Sequence, residues 1–130
     1  MKPSFFNPEA LPEPNGYNHG VLLSGGRILF VAGQGGLGDR GGDGSFAAQF
    51  ARALAAVREV VKAAGGQVEH IGRLTIYVKN MAEYLANRPE LGSIYRAEFG
   101  DHYPAMSVVE VAGFIDDAMD LEIEATAVLP

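Results

Sequence analysis

Four consecutive large apolar residues, Ile28-Leu29-Phe30-Val31, constrain this chain more than any other stretch. They lie in a segment from Arg27 to Ala32 that reads as a strand, set off by Ser24-Gly25-Gly26 on one side and Gly33 on the other. Successive strand residues point to opposite faces of a sheet. Large apolar side chains therefore stand on both faces here, whereas a sheet with one wet face alternates apolar and polar. Such a sheet must be covered twice. A chain of 130 residues forms one domain with one core. Helices can cover one face, and the second cover is expected to be another subunit.

The remaining segments supply the rest of the sheet and the helices. Residues 1–15 hold Pro3, Pro8, Pro12 and Pro14, which argue against regular structure and for an extended arm anchored by Phe5, Phe6 and Leu11. A strand over Gly16–Leu23, a glycine turn and the Arg27–Ala32 strand read together as a hairpin. Gly33 to Gly44 reads as a glycine-rich loop. Phe46, Phe50, Leu54, Val57 and Val61 then recur at helical spacing, with Ser45 as the cap and Gly65-Gly66 as the stop. Ile71–Val78 is the third strand. Met81–Phe99 is helical, with a break expected near Asn87-Arg88 because Pro89 follows. Strands at Met106–Ala112 and Asp120–Val128 close the chain. The order is ββαβαββ.

The formal net charge of −6 argues against a nucleic-acid partner, which calls for a basic face. There is no cysteine, hence no disulfide, thiolate nucleophile or cysteine metal site. The first residues lack the apolar core of a signal peptide, and no run reaches membrane-spanning length. A cytoplasmic protein with no membrane partner is the expectation.

Motif by motif, the chemistry is sparse. Gly33-Gln34-Gly35-Gly36-Leu37-Gly38 matches GxGxxG, but the helix that a pyrophosphate needs begins about seven residues too late. Close backbone packing is the plainer reading. His19, His70 and His102 have no metal-ligand spacing, so no metal is expected. His19 lies two residues after Tyr17, which on a strand puts both side chains on one face and marks a pocket candidate; a surface or hydrogen-bonded histidine is the alternative. Ser107 lacks the GxSxG elbow of a serine nucleophile. Glu122 and Glu124 alternate with Leu121, Ile123 and Ala125 and share one strand face. They are either solvated polar positions or carboxylates in a cleft that move a proton or orient water. Glu110, among valines, carries the same ambiguity.

Several segments in order resemble the YjgF/RidA family. Gly-Tyr-Asn-His-Gly-Val at 16–21 is similar to its opening strand, and Val-Ala-Gly-Gln at 31–34 to its VSGQ. Tyr103-Pro104-Ala105, Ser107 and Val109-Glu110-Val111 resemble PARSxVEV, and Leu121-Glu122-Ile123-Glu124-Ala125 the closing VEIEAIAV. The resemblance runs from about Gly16 to Leu129. It implies an α+β, chorismate-mutase-like fold, a mixed sheet with two helices on one face, assembled as a homotrimer. It also implies small-molecule ligands in clefts between subunits, no cofactor, and hydrolysis of reactive imines and enamines. Carried over by position, Tyr17 lines the cleft, Gly33 offers backbone contacts and Glu122 positions water.

One position departs from the family. Where its members carry an arginine that grips a substrate carboxylate, this chain has Met106, with Val108 beside it. A planar charged fork is replaced by a flexible apolar wall. A less polar ligand than the usual 2-imino acids is the expectation, whether it is hydrolysed or only bound by a regulatory trimer. Arg27, Arg73 and Arg96 are candidates for a substitute charge, although no spacing places one in the cleft. Ribonuclease activity, an old label in the family, is disfavoured by the acidic charge and the lack of a histidine pair.

Overall fold

The computed structural model describes residues 2–37 and 44–130. Its main sheet has four strands: β3 (Arg27–Gly35), β4 (Ile71–Val78), β5 (Ala105–Glu110) and β6 (Leu121–Leu129), in the order β3-β6-β4-β5. β6 pairs antiparallel with both β3 and β4, and β4 pairs parallel with β5. Helices α1 (Phe46–Ala63) and α2 (Met81–Phe99) pack on one face and on each other. Two short strands, β1 (Ser4–Phe6) and β2 (Gly20–Leu22), form a separate antiparallel pair.

Alternation along β6 explains the layering. Leu121, Ile123, Ala125, Ala127 and Leu129 are buried, while Glu122, Glu124, Thr126 and Val128 are only half-buried on the opposite face. Leu74, Ile76 and Val78 of β4 join the buried side, where Phe46, Phe50, Leu54, Val57 and Val61 of α1 meet them. The helical stripe legible in the sequence is thus the core stripe. Ser45 caps α1 by accepting a hydrogen bond from the Ala48 amide at 3.3 Å, and Gly65 follows the helix with φ +88°. Gln49 and His102 are the buried polar side chains among the described residues, and Gln49 joins α1 to the start of β6. Its amide donates to the Gly44 carbonyl (2.9 Å) and Asp120 Oδ2 (3.0 Å), and its oxygen accepts from the Asp120 amide (2.8 Å). Gln49 thereby fixes the approach to β6, while His102 Nε2 lies 2.7 Å from the Ile71 carbonyl.

Four local expectations change. The first two strands are not a hairpin: β3 pairs with β6, and β2 pairs with the N-terminal arm. The chain crosses the end of β6 between them, so close at Gly25 that a β-carbon there would strike the Leu129 carbonyl. The arm holds a strand because Pro3 and Pro8 flank Ser4–Phe6 rather than interrupt it. The glycine run after Ala32 remains strand as far as Gly35, past a bulge between Val31 and Gln34, so Gly33 and Gly35 do not form a strand-to-helix turn. Gly38 lies outside the described residues. Lastly, α2 is unbroken at Asn87-Arg88. Pro89 deprives the Leu85 carbonyl of its donor, but both residues are exposed and water can serve it.

On the face away from the helices, Ile28 is 63% and Phe30 76% exposed. These are the side chains that made the sheet apolar on both sides.

Candidate functional site

Tyr17, Met106 and Val108 come together. They line a cavity of about 710 Å³ between β5, α2 and the loop before β2. Register explains the strand part. Met106 pairs with Leu74 and Val108 with Ile76, so both point to the helix side of the sheet. The loop is held by side chains that sequence patterning did not single out. Asn18 donates from Nδ2 to the Tyr103 carbonyl (2.6 Å) and from its amide to the Pro104 carbonyl (3.3 Å). Asn7 in the arm donates to Asn18 Oδ1 at 2.7 Å. Short Asn side chains in a Pro/Gly-rich stretch are the signal that was available.

Aromatic rings make much of the remaining wall. Tyr95 and Tyr103 stack with centroids 5.0 Å apart and planes 12° off parallel. Burial, with Tyr103 adding to it, pushes the Tyr95 phenol well up, and its hydroxyl donates to the His102 carbonyl at 2.6 Å. Burial also raises the Tyr84 phenol, while the positive charge of Arg88 partly offsets that rise. Arg88 and Arg96 both line the cavity. Arg96 was a sequence candidate for the missing charge, and Arg88 was not. Arg27 is spent elsewhere, its Nε donating to the Pro130 carbonyl at 2.9 Å. Arg73 lines a second cavity of about 500 Å³.

His19 lines that second cavity and not the first. Tyr17 and His19 are not on a strand, which begins at Gly20, so the shared-face reasoning fails. Their rings still meet edge-on at 5.3 Å. His19 Nε2 lies 2.7 Å from the Pro12 carbonyl and its amide donates to Asn7 Oδ1 at 2.8 Å, so it is built into the loop.

Glu122 and Gly33 form a third place. They lie on β6 and β3, with the Glu122 carboxylate over Gly33 where any β-carbon would collide with it. Cross-strand from Glu122 is Tyr77, whose hydroxyl donates to Glu124 Oε2 at 3.0 Å. That hydrogen bond, then burial and the charges of Glu124 and Glu122, raise the Tyr77 phenol. This group sits on the open sheet face, whereas Met106 and Val108 sit on the helix face. Within one chain the carboxylate and the Tyr17–Met106 wall do not converge.

Glu110 is accounted for differently. Its Oε1 accepts from the Met81 amide at 2.9 Å, so it caps the start of α2. Among the described residues, no three His, Cys, Asp or Glu side chains are placed to hold a metal ion, and no helix is long and apolar enough to cross a membrane.

Residues 8–129 match the family model described as endoribonuclease L-PSP. The chain belongs to the YjgF/RidA family. It is 34% identical over 117 residues to the 2-iminobutanoate/2-iminopropanoate deaminase of Escherichia coli K12, covering 86% of each. A Rid-family protein of unknown function from Yersinia pestis superposes with a TM-score of 0.84 at 31% identity, over 99% of this chain and all of that one. The E. coli protein TdcF, solved with bound serine, gives a TM-score of 0.65 at 28% identity over 98% and 99% of the two chains. The mixed sheet under two helices is thus the fold of YjgF-family structures.

Proposed function

We propose that this RidA-family chain is a hydrolase of small imines or enamines that differ from the usual 2-imino acids. The observation that carries this reading is the seat of Glu122: a half-buried carboxylate on a central strand, packed over the bare backbone of Gly33. A carboxylate so held can take a proton from water as the water oxygen bonds to the imine carbon. The proton passes to the imine nitrogen to give a carbinolamine; the carbinolamine hydroxyl then yields its own proton, by way of the carboxylate, to the same nitrogen as the C–N bond breaks, and a carbonyl compound and ammonia leave.

In this reading the site is completed between copies. The Glu122–Gly33 group of one protomer meets the Tyr17–Met106 cavity of the next in a trimeric assembly. Exposed Ile28 and Phe30 on the same face as Glu122 favour such a cover. The Met106 and Val108 wall sets the preference, because no charged fork stands on that strand to hold the carboxylate of a small 2-imino acid, a loss of several kcal/mol for that substrate, to order of magnitude.

A second reading, a trimer that binds a metabolite without breaking a bond, is favoured by the cavity lining, which among the described residues of one chain contains no carboxylate. Turnover separates the two. Benzaldimine generated by a flavin amine oxidase from benzylamine is an imine without a carboxylate. Native protein should hasten its decay above the uncatalysed rate, and Glu122→Gln should abolish the effect. Equal decay with and without the native protein would favour the binding module.

A further inference from the structure

The chain carries a net charge of −6, yet among the described residues the cavity beside Met106 is lined by two arginines and by no acidic residue. Arg88, Gly92 and Arg96 are spaced four apart on α2 and so share one helix face. Gly92 supplies no side chain between them, and Arg96 Nη1 lies 3.4 Å from where a β-carbon would stand. Among the described residues, Arg88 enters no hydrogen bond or ion pair. The contact of Arg96 is a long one, from Nη2 to Ser93 Oγ at 3.4 Å. Across the cavity stand Met106 and Val108, and Tyr17, Tyr84 and Tyr103 also line it.

We propose that this cavity takes an elongated anionic ligand, a carboxylate with an aromatic or branched apolar body, whose acid group is held by Arg88 and Arg96 while its body lies against Met106 and Val108. The anion contact has moved from the strand wall to the facing helix wall. Guanidinium forks match carboxylate geometry, and two of them on a wall to which the described residues of the same chain add no carboxylate favour a negative charge. A volume of about 710 Å³ falls among cavities that hold drug-sized ligands, and exceeds the need of a three- or four-carbon imino acid. The effect of Arg88 on the Tyr84 phenol agrees with a cation facing this space.

This inference rests on reading the cavity as the small-molecule site of the proposed hydrolase, and its test separates the two. The probes are 4-phenylbutyrate and its uncharged counterpart 4-phenylbutan-1-ol, titrated calorimetrically into the full chain. The acid should bind about tenfold or more tightly than the alcohol. An Arg88→Gln/Arg96→Gln double variant should lose that margin, keep its affinity for the alcohol and melt at the native temperature. Raising salt from about 50 to about 500 mM should weaken only the acid. Glu122→Gln should retain the preference for the acid. Equal binding of acid and alcohol, no binding of either, or an unchanged margin in the double variant would overturn the proposal. If benzaldimine hydrolysis depends on Glu122 but the acid has no advantage, the hydrolase stands and the arginine site falls. If the acid is preferred but no imine is turned over, the arginine site stands and the hydrolase falls.

Discussion

Asn18 donates a 2.6 Å hydrogen bond to the Tyr103 carbonyl, tying the loop that carries Tyr17 to the entry of the strand that carries Met106. The two walls of the cavity are therefore coupled through one short side chain. Asn18→Ala removes the donor and the Asn7 contact with it. We expect a stability loss of about 1 kcal/mol in thermal melts and weaker binding of 4-phenylbutyrate, with the far-ultraviolet circular dichroism unchanged.

Gly33 and Gly36 separate a functional glycine from a packing glycine. The atoms nearest to a β-carbon at Gly33 belong to the Glu122 side chain, from Oε1 back to Cγ, whereas those nearest to one at Gly36 belong to the Gln49 backbone. Gly33→Ala should leave the melting temperature near native but displace the carboxylate, lowering imine hydrolysis by about 10²-fold. Gly36→Ala should cost about 1–3 kcal/mol, read by denaturant unfolding, because the α1 backbone must move.

Gln49→Leu leaves the Asp120 amide and the Gly44 carbonyl without their partner. A fully buried orphaned group costs about 1–3 kcal/mol, and these groups are partly buried, which puts the loss toward the low end of that range. Chemical denaturation should show a loss in that range despite the greater hydrophobicity of leucine.

Tyr95 predicts a pH dependence. Its phenol stays protonated in the folded protein beyond the usual value of 10.0, so the unfolded chain loses this proton first. The stabilisation is present below about pH 10 and declines as pH rises above it. Tyr95→Phe should cost about 1–2 kcal/mol at neutral pH, because the His102 carbonyl loses its donor, and should show a shallower alkaline decline. Urea titrations at pH 8 and pH 11 would check both.

The parts of the fold written as periodicity were legible. The α1 stripe, the Ile71–Val78 strand and the alternation around Glu122 and Glu124 all follow from one residue facing the core and its neighbour not doing so. What was not legible depends on partners distant in sequence. Nothing in Ile28–Val31 says that β6 rather than β2 lies beside it, since a glycine turn of three residues permits either. Pro89 argued for a helix break because sequence does not say that the Leu85 carbonyl faces water. For the site, Tyr17, Met106 and Val108 line one cavity and Glu122 lies over Gly33, whereas His19 lines the second cavity, because the chain bends where a strand was expected. Arg88 was invisible because its neighbourhood exists only once α2 packs across β5.

The central claim is that Met106 turns a Glu122-dependent hydrolase away from small 2-imino acids. The direct measurement compares native protein and Met106→Arg on two imines, 2-iminopropanoate generated by an amino-acid oxidase and benzaldimine from the flavin amine oxidase. Native protein should hasten the decay of benzaldimine and act weakly on 2-iminopropanoate, and the arginine variant should reverse that order. A native protein that hydrolyses 2-iminopropanoate as fast as the variant, or a variant that changes neither rate, would contradict the account.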